Sequence, residues 1–377
     1  MPVFLNQHLK GLALCLCLVL PSLYSVQKFF GWFGAGLYVV ATAGAVWALP
    51  RLYWRPNERQ TVWLLAITFL GLVLLLAVIY PIANTHIPGK GSDADDALNI
   101  AVHELWAGRY PYYARTYLEN LNHDMPGAIL LASPFVLLGT SALQNLWWLL
   151  VFLMILRREL GNDFAALRWF LLTVILSPVI VAQLVTGTDH VTNALYVMSG
   201  LWWLMHAENK FVPAVVWGVC LSSRGNFLFL VPLAFGWLAR QNGSKAAVSS
   251  VILTCSMGAL LVLPFYLYDP AGFAPLEAAN RLTRFDEILP HAAWIIGIGM
   301  AGLSFFLAWR FTPTYSSLWR NCALVQAFPV VVGFLLAPDL AYLSYSSFFL
   351  CFGVLAAVTR EAALESVSSC DLSQSVL

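Results

Sequence analysis

The sequence predicts an all-α polytopic membrane protein, and three observations lead to that class. Hydrophobic residues make up 60% of the 377 positions and charged residues only 10%, whereas a soluble domain carries about 25% charged residues. The apolar residues form long runs instead of the short alternating segments of a membrane β-barrel. Lys and Arg are concentrated in a few short segments between these runs. With a net charge of +1, nothing suggests nucleic-acid binding.

Each apolar run is a candidate membrane helix, and the sequence predicts about 11–13 of them in a single transmembrane domain, 1–358. Because a spanning helix needs about 20 residues, the shorter runs are expected to be tilted, re-entrant or fused. The segment 359–377 is Ser-rich and is predicted to be a disordered cytoplasmic tail. The candidate spans are 9–26, 29–50, 61–82, 125–139, 143–157, 166–186, 191–206, 211–224, 225–239, 247–268, 291–311, 321–336 and 340–358.

The first of these runs has some features of a signal peptide, because Lys10 precedes a short apolar stretch. No small-x-small cleavage site follows it. We therefore expect an uncleaved first helix, with cleavage as the alternative. The seven cysteines show no metal-ligand spacing in polar loops, so neither a disulfide framework nor a zinc site is predicted.

The distribution of Lys and Arg predicts the orientation of the chain. The basic segments 51–60, 157–168, 239–247 and 310–320 are expected on the cytoplasmic side. The acidic loop 83–124 then lies outside, and so do 186–190 and 269–290. This parity requires 211–239 to fold as two short helices around the polar turn 222–226, which carries Arg224. It also requires one net crossing within 125–158.

The acidic loop contains Asp93, Asp95 and Asp96, three carboxylates within four residues. Charged groups beside a membrane are costly, so such a cluster is expected to be solvated, paired with other groups or part of a functional site. Asp95 is expected to cap the helix that follows, but capping explains one or two aspartates and not three. The cluster is therefore the first candidate for chemistry.

The run after this cluster has the spacing of an amphipathic helix lying in the membrane interface. Leu98, Val102, Leu105 and Trp106 are spaced so that they form one apolar stripe. Gly108 is the expected C-terminal stop of that helix.

Further unusual polar residues lie in the segments expected outside. Asp124 and Asp189 each precede a helix, so helix capping is the structural alternative to a role in a site. An arginine such as Arg224, between two apolar half-segments, normally pairs or lines a wet cavity. The remaining candidates are His123, Arg281 and Arg284, the two arginines also being explicable as solvated surface.

Carboxylates and arginines at one face fit transfer of a group from a phosphorylated donor. A carboxylate can accept the proton of an attacking hydroxyl, and guanidinium groups bind phosphate oxygens.

The acidic loop contains Asp95-Asp96, an Ala- and Leu-rich helix at 97–107, Gly108-Arg-Tyr-Pro111-Tyr112, and a proline, Pro126, that opens the next helix. In this order these features resemble the first external loop and following helix of the GT-C superfamily of integral-membrane glycosyltransferases, most closely glycosyltransferase family 87. The chain departs from the family at 123–127, where the acidic-Lys-Pro-Pro or aromatic-Pro-Pro turn of many members reads His-Asp-Met-Pro-Gly.

The resemblance implies a GT-C helical bundle in a bacterial inner or plasma membrane, with an extracytoplasmic active site. It implies a polyprenyl-phosphate sugar donor, with a mannose-type hexose, and a lipid or glycan acceptor. One aspartate would be the general base of an inverting transfer, with Asp95 first, then Asp93, then Asp96. Arg224 would contact the donor phosphate.

The same resemblance implies supporting roles for the other candidates. Arg281 and Arg284 would be further phosphate contacts, and His123, Asp124 and Asp189 would shape the sugar and acceptor sites. Some relatives use a divalent metal ion, for which Asp93, Asp95 and a histidine could be ligands; no metal site is assigned. A transporter or flippase, and a subunit that has lost its chemistry, remain the alternative classes.

Overall fold

The computed structural model describes residues 2–48, 56–85, 87, 92–276, 283–312 and 314–359. Across these ranges the chain forms helices and no β-strand, and the only β-type pairing is one bridge between Arg115 and Leu121. The prediction of an all-α protein is thereby confirmed. Arg281, and the predicted tail apart from Thr359, lie outside the described residues.

Fourteen α-helices are numbered here in chain order over the described ranges. Three 3-10 segments also occur in the described ranges: Gly225–Leu230 between α9 and α10, Thr283–Phe285 before α12, and Leu340–Ser346 before α14. The α-helices are α1 Pro2–Ala48, α2 Glu58–Ala83, α3 Ala94–Trp106, α4 Pro126–Leu137, α5 Leu143–Leu160, α6 Asp163–Leu176, α7 Val179–Thr186, α8 His190–His206, α9 Phe211–Leu221, α10 Val231–Asn242, α11 Ser244–Tyr268, α12 Ala292–Arg310, α13 Tyr315–Leu336 and α14 at 347–359.

The described residues contain six helices that are long and apolar enough to cross a membrane, or seven if α6 and α7 form one bent span. The protein is therefore a multi-pass membrane protein. The number is smaller than the sequence prediction because several runs form short helices. The predicted spans 125–139 and 211–224 give helices of 12 and 11 residues, while a crossing needs about 20. The first two predicted spans join in α1, which is kinked at Gly31, where φ is 68°.

The predicted span 166–186 is broken, because α6 and α7 meet at an angle of 78°. Pro178 lies at the break and cannot donate the backbone hydrogen bond that would continue α6. Helix α1 satisfies the groups that the break exposes. The Tyr38 hydroxyl donates to the Leu176 carbonyl at 2.7 Å, and Ser22 Oγ accepts from Val179 N at 3.0 Å. A break inside a membrane protein is stable when its backbone groups are bonded in this way.

Helix α8 forms the centre of the bundle, where it packs against α5 and α9. Its residues from Val191 to Leu201 are all buried. Peripheral helices instead expose apolar side chains. On α2, Ile67, Leu70 and Leu74 are 61%, 57% and 53% exposed and follow one helical face. An exposed apolar face of this kind fits contact with lipid chains.

Candidate functional site

Helix α3 carries the acidic cluster and is fixed against the protein. Leu98 and Val102 are fully buried in a small apolar cluster that also contains Tyr112 and Ile129. Trp106, which was predicted on the same stripe, is 45% exposed. Helix α3 therefore packs on α4 and on the loop that follows α3. The ring of Trp106, in the last turn of α3, is the exposed part of the apolar stripe.

Both predicted ends near α3 and α4 agree with the structure. Gly108 follows the C-cap of α3 with a φ of +69°, a left-handed conformation that favours glycine. Pro126 occupies the first turn of α4, where its missing N–H costs no hydrogen bond.

The predicted capping role of Asp95 is wrong. Asp93 occupies the N-cap position, and Asp95 lies inside the first turn with only 2% of its surface exposed. Its Oδ2 accepts a 2.5 Å hydrogen bond from the Tyr80 hydroxyl, which also lies 2.7 Å from Thr140 Oγ1. Its Oδ1 is buried and accepts no hydrogen bond from any described residue. Burial raises the pKa of Asp95, and the hydrogen bond from Tyr80 opposes that rise.

Asp93 and Asp96 fasten the loop that follows α3. Asp93 Oδ2 accepts from Thr116 Oγ1 at 2.6 Å and from Asn120 Nδ2 at 2.7 Å. Asp96 Oδ2 accepts from the backbone N–H of Tyr117 at 3.0 Å. The three aspartates thus have different environments, and Asp95 is the one with a buried oxygen that makes no hydrogen bond in the described structure.

The described residues do not assemble the donor set that was considered from sequence for a divalent ion. Asp93 and Asp95 bond to different partners, as described above. Across the residues whose placement is described, no group of three His, Cys, Asp or Glu side chains has the arrangement of a metal site.

Arg224 joins two carboxylates that the sequence separates widely. Its Nη2 donates to Oδ1 of Asp124 and to Oδ1 of Asp189, both at 3.0 Å. The side chains of the two aspartates are 9% and 4% exposed, and that of Arg224 is 21% exposed. Asp189 also accepts from Asn193 Nδ2 at 3.0 Å. We call Arg224, Asp124 and Asp189 the ion triad.

The capping alternative is wrong for Asp124, and for Asp189 it is correct in position only. Met125 is the N-cap of α4, and Asp189 makes no side-chain capping bond although it occupies the N-cap position of α8. The triad carries a net charge of −1. Nε of Arg224 is buried and makes no hydrogen bond with the described residues.

A close helix contact brings Asp124 to Arg224. The backbone N–H of Gly127 donates to the carbonyl of Ser222 at 3.1 Å, which ties the start of α4 to the end of α9. A Cβ at Gly127 would lie 2.4 Å from the carbonyl oxygen of Val219, so a larger residue would separate the two helices.

Gly187 brings Asp95 beside the ion triad. Its φ is +71°, and a Cβ there would lie 2.5 Å from Cβ of Asp95. The Asp95 side chain therefore packs directly on the α7–α8 turn, two residues before Asp189. The buried Asp95 side chain thus contacts the same turn that carries Asp189 of the ion triad.

The remaining predicted residues lie in the surrounding loops. Nδ1 of His123 is 3.1 Å from the Ala274 carbonyl oxygen. The guanidinium of Arg284 lies 4.7 Å from the ring centre of Phe285 and 4.4 Å from that of Tyr342. The structure shows no contact between Arg284 and either Asp95 or the ion triad. Arg281 is outside the described residues.

Sequence reasoning missed Tyr80 and Phe348. Phe348 lies below the guanidinium of Arg224, with 5.8 Å between its ring centre and the Arg224 Cζ atom. A tyrosine at the end of an apolar run is ordinary at a membrane interface, and a phenylalanine within one is ordinary anywhere. Neither residue carries a local signal that identifies it.

These features define a multi-pass α-helical membrane protein with a buried carboxylate–arginine site. No family model, no curated protein and no solved structure matches the chain.

Proposed function

We propose that the protein is a membrane glycosyltransferase that moves a sugar from a polyprenyl-phosphate donor to an acceptor hydroxyl. The observation that carries the proposal is Asp95, a buried carboxylate with one hydrogen-bonded oxygen and one oxygen without a partner. The sugar is a mannose-type hexose and the acceptor a lipid or glycan. Both assignments, and the extracytoplasmic location in a bacterial inner or plasma membrane, rest on the family resemblance and on the Lys and Arg distribution.

Asp95 is the general base in this proposal. Oδ1 takes the proton of the acceptor hydroxyl while the acceptor oxygen bonds to the anomeric carbon. The bond from that carbon to the phosphate oxygen breaks, its electrons leave with polyprenyl phosphate, and the configuration inverts. Because burial raises the pKa of Asp95, its ionised form is a stronger base than an exposed aspartate. The Tyr80 hydroxyl holds the other oxygen and fixes the direction of Oδ1.

In this proposal Arg224 positions other residues and does not bind the donor phosphate. Its Nη2 is already shared by two carboxylates, and the cluster has a net negative charge, which disfavours a phosphate. We assign Arg224 to positioning Asp124 and Asp189 toward sugar hydroxyls. His123 lies at the edge of that subsite, and Arg284 and Arg281 remain the candidates for contact with the donor phosphate.

The direct test is sugar transfer by purified protein in lipid vesicles. A panel of radiolabelled polyprenyl-phosphate sugars is offered together with an extract of membrane lipids and glycans as acceptors. We expect turnover of one donor, and its loss in Asp95→Asn. The matched control is Asp269→Asn, because Asp269 is a carboxylate that accepts a 2.8 Å bond from Tyr113 outside the site. Equal activity in both variants would reject Asp95 as the base.

A transporter or flippase is the second candidate, and the broken α6–α7 pair favours it. The Gln183 side chain on α7 donates to Ser347 Oγ at 3.1 Å and accepts from Val191 N at 2.8 Å, so polar groups line the interior beside the break. Broken helices with internal polar groups are also a transporter feature. Movement of a fluorescent lipid-linked sugar across the vesicle bilayer, unaffected by Asp95→Asn, would favour this class.

A further inference from the structure

An apolar groove lies between α5, α8 and α9, away from the polar contacts of Asp95. Its volume is about 380 Å³, which is within the range of small-molecule sites, roughly 300–1,000 Å³. Aromatic and aliphatic side chains form most of its wall. They include Trp148, Val151, Ile155, Trp202, Trp203 and Val216.

Among the described residues, Arg158 is the only charged one that lines the groove. It lies in the last turn of α5, and Trp148 lies near the other end of the same helix. The ten positions between them correspond to about 15 Å at 1.5 Å per residue. The hydrocarbon core of a bilayer is about 30 Å thick, so the groove has the length of one leaflet.

The neighbours of Arg158 are already paired with described residues, but Arg158 is not. Arg157 donates to Asp163 at 2.5 Å, and Glu159 accepts from Trp202 Nε1 at 2.6 Å and from the Tyr315 hydroxyl at 3.1 Å. Arg158 makes no hydrogen bond or ion pair with any residue that the structure describes. An exposed guanidinium without a partner among the described residues therefore lines the apolar groove.

We propose that this groove binds one acyl chain of an anionic phospholipid, with the lipid phosphate at Arg158. Guanidinium groups bind phosphate oxygens through paired donors, and the apolar walls match the chain. The leaflet is the one at the Arg158 end of α5. This proposal is independent of the function proposed above.

A sugar donor fits the groove less well than a phospholipid does. The far end of the groove is formed by Tyr196, whose hydroxyl donates to Asn193, which in turn donates to Asp189 of the ion triad. A donor with its sugar at the triad would place its phosphate at that end, where the groove wall offers no cation. The lining residue with a positive charge is at the opposite end. A lipid headgroup at Arg158 satisfies both the charge and the length.

Native mass spectrometry tests the proposal. The whole protein is transferred from nanodiscs of phosphatidylglycerol, or of phosphatidylcholine with the same acyl chains, and the lipids retained per chain are counted. We expect one phosphatidylglycerol to be retained and phosphatidylcholine to be lost. Arg158→Gln should lower retention at least tenfold, and Arg158→Lys should restore part of it. Arg157→Gln is the matched control and should have no effect, since Arg157 is paired with Asp163 and does not line the groove.

Three results would overturn the assignment. The first is equal retention of both phospholipids by the unmodified protein. The second is full retention of phosphatidylglycerol in Arg158→Gln. The third is one-for-one displacement of phosphatidylglycerol by polyprenyl phosphate, which would make the groove part of a donor site. Since all the altered residues are exposed, the variants should fold, and their helical content is checked by circular dichroism.

Discussion

Replacing Arg224 by leucine leaves two carboxylates buried without the cation they share. Oδ1 of Asp124 and Oδ1 of Asp189 each lie 3.0 Å from the same Nη2 atom, and the two side chains are 9% and 4% exposed. Removing one partner of a buried ion pair typically costs about 3–5 kcal/mol, because the remaining charge has neither water nor a counter-ion. We expect Arg224→Leu to lower the free energy of unfolding by about that amount.

Two further variants show whether the loss comes from the unpaired charges. Arg157→Leu removes an arginine whose pair with Asp163 is 66% and 37% exposed, and such surface pairs contribute about 0–1 kcal/mol. Adding Asp124→Asn and Asp189→Asn to Arg224→Leu removes the uncompensated charges and should restore much of the stability.

The assay is detergent-induced unfolding of purified protein in micelles, followed by tryptophan fluorescence. Arg224→Lys adds a separate comparison. An ammonium group has three donors and can serve both carboxylates, but it lacks the planar, rigid guanidinium that fixes their directions. It should therefore lose less stability than Arg224→Leu while still losing sugar transfer. If Arg224→Leu is no less stable than Arg157→Leu, the ion triad does not hold the site together and the reasoning fails.

Three other predictions concern the site and its orientation. Asp95 must be ionised to act as a base, so activity should rise with pH through its raised pKa. Tyr80→Phe removes a hydrogen bond that lowers the pKa of Asp95. This variant should therefore move the acid limb of the kcat/KM profile to higher pH. An unshifted limb would exclude Asp95 as the titrating group. Gly187→Ala should reduce both stability and activity, because a Cβ would meet Asp95 at 2.5 Å; Gly108→Ala is the control, with a similar φ of +69° and no atom within 4 Å. Equal losses would show that only the backbone conformation matters. A cysteine at exposed Gly225, in a chain without its native cysteines, should react with an impermeant thiol reagent added outside the cell. Labelling only after the membrane is opened would reverse the predicted orientation.

The sequence was sufficient for features that depend on composition or on local backbone chemistry. The apolar runs predicted the all-α membrane class, Gly108 and Pro126 predicted helix ends, and the polar turn at 222–226 predicted a break between two short helices. Each of these features depends on the composition or backbone conformation of residues close together in the sequence.

The errors arose where a long-range partner decides between two local possibilities. Asp124 and Asp189 have the sequence context of helix caps, but their side chains accept hydrogen bonds from Arg224 instead. Arg224 lies 100 and 35 positions further along the chain. Asp95 likewise became a buried residue because Tyr80 on α2 meets it across 15 positions. The break in 166–186 was missed because hydropathy averages over the proline that causes it.

The number of crossings differs for a related reason. An apolar segment of a dozen residues has the same composition whether it crosses the bilayer with a partner or lies within a bundle of longer helices. Helices α4 and α9 are of this kind, and their close contact at Gly127 is visible only once the fold is known.

The central claim is that Asp95 takes the proton of the acceptor while contributing little to donor binding. The most direct measurement compares single-turnover transfer with donor binding in Asp95→Asn, using the donor that the unmodified protein turns over. The account predicts that the transfer rate falls by about 100-fold or more, the contribution typical of a general base, while the donor dissociation constant changes by less than about threefold. Parallel losses of binding and transfer, or unchanged transfer, would contradict it.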